Sequence, residues 1–330
     1  MPVLVTGATG FIGYHVAREL IERGATVRCL VRPSADPTRL QALGVELVRG
    51  DLRDADSLRG ACRGCPQVYH VAADYRLWAP DPQDLYRTNV EGTRALLAAA
   101  ERAERVVYTS SVGCLGLRAD GQPADETTPV ALADMVGHYK RSKYLAEEVA
   151  RERAAAGQPI VIVNPSTPVG DFDVRPTPTG QIIVDFLRGR MPGFVNTGLN
   201  LVDVRDVALG HLLAAERGRL GERYILGHRD LTLEQILAML ASLTGRPRPR
   251  LKVPFAVAFA AAYVDQFVNV TLRHRAPGIP LEGVRMARHL MYFSPAKAVA
   301  ELGLPQSSVE GALERAIAWF SAQGYVTSGR

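Results

Sequence analysis

The sequence predicts an α/β protein: a doubly wound parallel sheet with a smaller C-terminal substrate lobe. Three observations carry this expectation. Short apolar runs alternate with amphipathic stretches up to Pro165, a glycine-rich turn follows the first run, and the rhythm breaks beyond Pro165. Parallel strands need crossover connections, and the crossing helices cover both faces of the sheet.

The elements follow in order. Val3–Val5 is the first strand, and Ile12–Arg23 a helix stopped by Gly24. Thr26–Val31, Val45–Arg49 and Val68–Val71 are the next three strands. Leu85–Arg102 reads as one long helix, followed by a fifth strand over Arg105–Ser110. Val136–Ala155 is a helix closed by Gly157, and Pro159–Val163 is the sixth strand. Asp171–Gly180, rich in Pro, Thr and charge, has the composition of a substrate-site loop. Gln181–Arg188 and Val204–Glu216 read as helices, with a strand and turn over Tyr224–Thr232. Thr232 is the expected N-cap of a helix over Leu233–Leu243. Pro254–Val268, Leu281–His289 and Ser308–Gln323 complete the chain, without a regular strand set of their own. The expected division is 1–165 for the nucleotide-binding unit, with 200–227 returning to it, and 166–330 for the substrate lobe.

The net charge of +5 is modest and spread out, and no basic run has the length of a nucleic-acid tail, so no nucleic-acid partner is expected. Val3–Thr6 already belongs to the fold, so no signal peptide is expected, and no run of 18 apolar residues predicts a membrane span. Cys62 and Cys65 have metal-ligand spacing, but no second Cys or His pair completes a site. The expectation is a cytoplasmic protein with unligated cysteines and no metal.

Thr6-Gly-Ala-Thr-Gly-Phe-Ile-Gly13 sits between a strand and a helix. In such a turn Gly7 makes the bend, Gly10 lets the backbone approach a pyrophosphate, and Gly13 brings helix against strand. Thr9, Gly10, Phe11, Ile12 and Gly13 then offer backbone N–H groups and a helix dipole to the phosphates. The turn is therefore expected to hold a nicotinamide dinucleotide at the edge of a Rossmann sheet. The second strand ends Cys29-Leu-Val-Arg32-Pro-Ser34 with no acid at its tip. An acid there would bond the adenosine 2′-hydroxyl, whereas Arg32, helped by Ser34 and Arg39, suits a 2′-phosphate, so NADP(H) is favoured over NAD(H). In Gly50-Asp51-Leu52 the carboxylate can accept from the adenine amino group, or it can cap the helix near Ala55. His70 reads as a packed strand residue, while the small Ala72 and Ala73 let the dinucleotide lie against backbone.

Tyr139 and Lys143, one helical turn apart, share a face. A phenol is a poor base at neutral pH, and an adjacent ammonium brings it toward use. Tyr108-Thr-Ser-Ser111 ends the fifth strand at the edge where ligands bind, so a serine hydroxyl can hold the substrate oxygen.

With these motifs in place, the chain resembles the extended short-chain dehydrogenase/reductase superfamily from Pro2 to about Gly227. The resemblance implies that Ser111 orients a carbonyl or carbinol, Tyr139 exchanges the proton and Lys143 binds the nicotinamide ribose. Ser110 is the rival for the serine role. Asn89 matches the asparagine that supports the lysine's water relay, and Asn164, Pro165 and Ser166 match the segment contacting the carboxamide. Several stretches resemble the dihydroflavonol-reductase-like branch, particularly its bacterial hopanoid-associated sugar epimerase group: His70 to Pro80, Gly137 to Lys143, Asn164 to Pro168, Arg175 to Gly180 and Gly198 to Val202. Where that group has histidine after Gly198-Leu-Asn-Leu-Val, this chain has Asp203.

Asp74, Tyr75, Arg76 and Trp78 follow the fourth strand and should edge the substrate pocket, their rings stacking on a sugar, packing an apolar tail or packing the lobe. Pro254–Val268, almost wholly apolar, reads first as a buried helix, with a lid or peripheral membrane contact as the sharper alternative. The resemblance implies a homodimer paired through Leu85–Arg102 and Val136–Ala155. The expected activity is NADP(H)-dependent carbonyl/carbinol oxidoreduction on a sugar- or polyol-bearing, hopanoid-related small molecule. An NAD-dependent nucleotide-sugar epimerase or dehydratase is the alternative.

Overall fold

The computed structural model describes residues 1–326. The first half runs β1 (Val3–Thr6), α1 (Phe11–Glu22), β2 (Val27–Val31), α2 (Thr38–Gln41), β3 (Glu46–Arg49), α3 (Ala55–Cys62), β4 (Gln67–His70), α4 (Gln83–Tyr86), α5 (Gly92–Ala99), β5 (Arg105–Thr109), α6 (Gly137–Ala155) and β6 (Ile160–Pro165). The second runs β7 (Thr167–Val169), α7 (Pro178–Leu187), β8 (Gly193–Phe194), β9 (Gly198–Asp203), α8 (Val204–Arg217), β10 (Arg223–Leu226), β11 (Arg229–Thr232), α9 (Leu233–Thr244), β12 (Leu251–Lys252), α10 (Phe255–Gln266), α11 (Leu281–Met286), β13 (Leu290–Met291), α12 (Ala296–Leu302) and α13 (Val309–Ala322).

The main sheet has seven strands in the order β3-β2-β1-β4-β5-β6-β10, every pair parallel. Alternate strand residues serve opposite faces. Val5, Val161 and Val163 join one core with Val16, Val207 and Leu212 of α1 and α8. Leu4, Ile160 and Ile162 join the other with Leu58, Leu96 and Ala146 of α3, α5 and α6. The strand order reverses between β1 and β4, which opens the ligand crevice at the carboxyl edge.

The structure departs from the sequence reading in four places. The stretch read as one helix over Leu85–Arg102 is broken by a π-turn at Arg87–Glu91. The C-terminal half does build strands of its own: β11, β9 and β13 form a small sheet, with β7 also on β9. Their pairing partners are distant in sequence, so no local pattern announces them. The segment read first as a buried helix, Pro254–Val268, is instead exposed, with only Ala262 of α10 buried. Finally, α10 runs on through a π-turn to Leu272, and this Phe255–Leu272 helix is long and apolar enough to cross a membrane by length and composition alone. The sequence test missed it because Asp265, Gln266 and Asn269 interrupt the apolar run.

Candidate active site

At the end of β1 the chain turns through Gly7 at φ 74°, where side-chain-bearing residues are strained. A Cβ on Gly7 would lie 2.6 Å from the Ala72 nitrogen, and one on Gly13 would lie 2.3 Å from the Gly7 carbonyl oxygen. Turn, helix and the loop after β4 therefore pack backbone to backbone. The Gly10 N–H closes the turn on the Gly7 carbonyl (2.9 Å), and Gly10 caps α1 without a side chain. Among the described residues nothing accepts from the N–H groups of Phe11, Ile12 and Gly13, which leaves them to an anion. Arg39 donates to the Thr9 carbonyl (3.3 Å) and lies over the Tyr14 ring, with its Nη1 buried and unpartnered among the described residues. This uncovered helix terminus and orphaned guanidinium nitrogen fit the phosphates of a dinucleotide.

Arg32 and Ser34 are exposed beyond β2, and Arg32 has no carboxylate partner among the described residues. The Asp51 carboxylate accepts from the Arg53 backbone and guanidinium, both at 3.0 Å, and these bonds pull its pKa below the usual range. Asp54, not Asp51, caps α3 through the Asp56 and Ser57 N–H groups. Leu52 is buried against Gly92.

His70 bridges the Thr6 hydroxyl and the Thr93 hydroxyl, both at 3.0 Å, and burial pushes its pKa down to about 3. The Thr6 hydroxyl also accepts from the Ala72 N–H (3.2 Å), which fixes the loop that carries half-buried Ala72 and Ala73. Asn89, in the π-turn, accepts from the Asp74 N–H (2.7 Å) and donates to the Asp74 carbonyl and the Ser142 hydroxyl (both 2.9 Å). Its carboxamide thus ties the loop after β4 to α6 and is fully engaged.

Tyr139, Lys143 and Ser111 meet at the carboxyl ends of β5 and β6. Ser111, two residues beyond β5, caps a short turn, its hydroxyl accepting from the Gly113 N–H (3.0 Å). Desolvation raises the Tyr139 phenol above its ordinary range, and the neighbouring Ser111 hydroxyl offsets part of the rise. Ser110 instead donates to the Cys114 sulfur, 3.5 Å away. The Lys143 ammonium donates to the Thr109 carbonyl (2.8 Å) and the Tyr108 hydroxyl (3.4 Å), and burial lowers its pKa. The sequence reading set this ammonium against the phenol, but its bonds here go to the strand end. Asn164 donates to the Ser111 carbonyl (3.1 Å) and to Glu147 (2.8 Å), while its Oδ1 and the Ser166 hydroxyl are buried without partners among the described residues. Pro165 lies in β6, opposite Leu226.

Sequence reasoning missed several supporting groups. Glu147, one further turn along the Tyr139–Lys143 face, pairs with Arg223 of β10 at 3.2 Å, and Arg223 also reaches the Glu126 carbonyl. The four-residue spacing could have flagged it. Lys140 is buried, which lowers its pKa, and among the described residues it has only the Met291 sulfur (3.8 Å) as acceptor. Glu282 of α11 accepts from the His138 N–H (3.1 Å), so the second half of the chain caps the helix that carries Tyr139.

Of the candidate substrate residues, Asp74 is half-buried and paired with Arg76 (2.5 Å), and Trp78 is half-buried. Exposed Tyr75 donates to the Arg175 carbonyl (3.2 Å), bringing two loops together. Asp203 caps α8 and pairs with Arg315, which commits it to the fold. Asp173, two residues before Arg175, is buried, with one oxygen held by Thr177 and the other unpartnered among the described residues; burial raises its pKa to about 6. Cys62 and Cys65 are buried free thiols, and burial pushes Cys62 up to about 12.

Residues 3–227 match the family model described as the NAD dependent epimerase/dehydratase family. Over 98% of its length the chain is 52% identical to a Synechocystis sp. protein named provisionally as a dihydroflavonol 4-reductase, covering 95% of that protein. It is 37% identical to sterol demethylase protein B of Methylococcus capsulatus, over 99% of this chain and all of that one. Among solved structures, gox2253 superposes with a TM-score of 0.88 at 47% identity, covering 98% of this chain and 99% of that one. A chain that shares this model over its nucleotide-binding strands, and nearly its whole length with such relatives, belongs to the NAD-dependent epimerase/dehydratase family of extended short-chain dehydrogenase/reductase enzymes.

Proposed function

We propose that the chain is an NADP(H)-dependent carbonyl/carbinol oxidoreductase, and the observation that carries the reading is the basic rim beyond β2. No carboxylate stands at that strand tip, Arg32 is exposed there, and Arg39 keeps an unpartnered nitrogen beside the glycine turn. Gly7, Gly10, Gly13 and the α1 terminus would hold the pyrophosphate; Asp51 and Leu52 would border the adenine; and Asn164 and Ser166 would meet the carboxamide. Bound there, the nicotinamide would supply or accept the hydride, and its oxidised ring would add positive charge.

The chain's own groups do the rest. Ser111 holds the substrate oxygen, and Tyr139 moves the proton on that oxygen. A half-buried phenol whose pKa desolvation raises is protonated at neutral pH, which suits it to donate in the reducing direction. Lys143, its ammonium anchored on the Thr109 carbonyl at the strand end, would hold the nicotinamide ribose. Asn89 acts as a positioning residue by fixing Asp74 and Ser142.

The names of two full-length relatives, a dihydroflavonol 4-reductase and a sterol demethylase protein, favour a rigid, ring-bearing substrate over an open-chain one. The sugar- or polyol-bearing, hopanoid-related class fits that description. The family match favours a second reading, a nucleotide-sugar epimerase that uses the same residues with NAD.

Mass spectrometry of nucleotide retained after exhaustive desalting, with competing NADPH and NADH titrations, tests the proposal. NADPH should bind at least about ten-fold more tightly, with the preference lost in Arg32→Ala/Arg39→Ala. Tyr139→Phe should cut carbonyl turnover about 10²- to 10⁴-fold with cofactor binding intact. Tightly retained NAD would overturn the reductase reading in favour of the epimerase.

A further inference from the structure

The helix over Phe255–Leu272 is built inside out. Val257, Ala260, Ala261, Val264 and Phe267 follow one helical stripe, and all are exposed, Val264 at 59% and Phe267 at 54%. The polar residues lie on the other side. Asp265 accepts from the Asn269 side chain (2.7 Å) and the Ile279 N–H (3.0 Å), which ties the helix down to its own lobe. A surface helix in water would carry the opposite arrangement, so this stripe is made for a non-aqueous neighbour.

The charge around the stripe says which neighbour. Residues 246–288 hold eight Arg and Lys against two acids, so this stretch alone exceeds the chain's whole net charge of +5. Arg246, Arg248 and Arg250 precede the helix, and Arg273 and Arg275 follow it. None of these five has a carboxylate partner among the described residues. Both acids face inward, Asp265 as above and Glu282 onto the His138 N–H. Arg285 and Arg288 lie over the Phe259 and Phe255 rings, each 5.9 Å from the centroid.

We infer that this helix docks the enzyme peripherally on an anionic lipid bilayer. The apolar stripe enters the boundary between headgroups and acyl chains, and the arginine collar meets lipid phosphates. A second copy of the chain is the poorer occupant, because it would set one basic collar against another. The inference does not rest on the reaction: α11 packs on this helix, caps α6 through Glu282 and brings Gly283 near Leu77 of the loop after β4, so a docked bilayer borders the candidate substrate entrance in either reading.

Sedimentation of the full chain with vesicles tests it, using phosphatidylcholine alone or with roughly one third phosphatidylglycerol. Wild type should pellet with the anionic vesicles at least about ten-fold more than with the neutral ones, and high salt should release it. Val264→Glu/Phe267→Glu should abolish pelleting, and Arg273→Glu/Arg275→Glu should erase the anionic preference, both with wild-type affinity for NADPH as the check on folding. Wild type left in the supernatant, or undiminished pelleting of Val264→Glu/Phe267→Glu, overturns the inference. So does a dimer of wild type that the same glutamates dissociate in analytical ultracentrifugation, because the stripe would then belong to a second copy.

Discussion

The helices α6 and α10 invert the ordinary relation between composition and burial. Arg, Lys and Glu dominate α6, yet it buries Lys140, Ser142, Lys143 and Glu147. Phe, Val and Ala make up most of α10, yet it buries only Ala262. In α6 most of the buried polar groups have partners reaching in from β5, β6, β10 and the π-turn, so the burial is compensated. In α10 nothing in the described chain covers the apolar face. Where a helix spends its stability on polar contacts, or leaves apolar surface uncovered, function is the first place to look.

The sharpest way to break this contrast is Glu147→Ala. It removes the carboxylate that pairs with the Arg223 guanidinium and accepts from the Asn164 amide, leaving them only the Glu126 and Ser111 carbonyls, and losing one member of a buried pair costs about 3–5 kcal/mol. Thermal unfolding followed by circular dichroism should show a midpoint lower by on the order of 10 °C. A midpoint within about 2 °C of wild type would show that the α6 network contributes nothing to the fold.

Asp173 sharpens the contrast, because it is a buried charge that lacks such compensation. Its pKa is raised from 3.8 to about 6, so between those values the native state holds the proton more tightly than the unfolded chain does. Stability from this group therefore falls as pH rises through that window. Above it, the ionised carboxylate costs on the order of 2–3 kcal/mol. Asp173→Asn should raise the unfolding midpoint at pH 7.5 and leave it unchanged near pH 4. An equal shift at both pH values would mean that the Thr177 contacts, and not the charge, set the outcome.

The smallest effect belongs to α10. Val264→Ser/Phe267→Ser should move stability by no more than about 0.5 kcal/mol, because both side chains already face water. Loss of several degrees in the midpoint would show that the stripe is packed in solution.

What was legible in the sequence was local. The turn through Gly7, Gly10 and Gly13, the shared face of Tyr139 and Lys143, and the Thr232 cap rest on neighbours a few residues apart, and all appear in the structure at those places. What was not legible joins distant segments. Glu147 with Arg223, Glu282 with the α6 terminus, and Asn89 with Asp74 need the fold before they exist. Asp51 shows the same limit at short range, since Asp54 three residues on takes the cap and leaves Asp51 to Arg53. Composition also misread Pro254–Val268, because apolar residues record an affinity for non-aqueous surroundings without saying whether those lie inside the protein.

The placement of β10 bears on how the chain is made. Its partner β6 ends at Pro165, and Arg223–Leu226 arrive only after β7, β8, β9 and two helices have been synthesised. During that interval Ile160–Val163 stand at an open sheet edge, a template for pairing with another nascent chain. Slow translation or chaperone shortage across residues 166–222 should therefore weigh on the yield of soluble protein more than the same delay after Leu226.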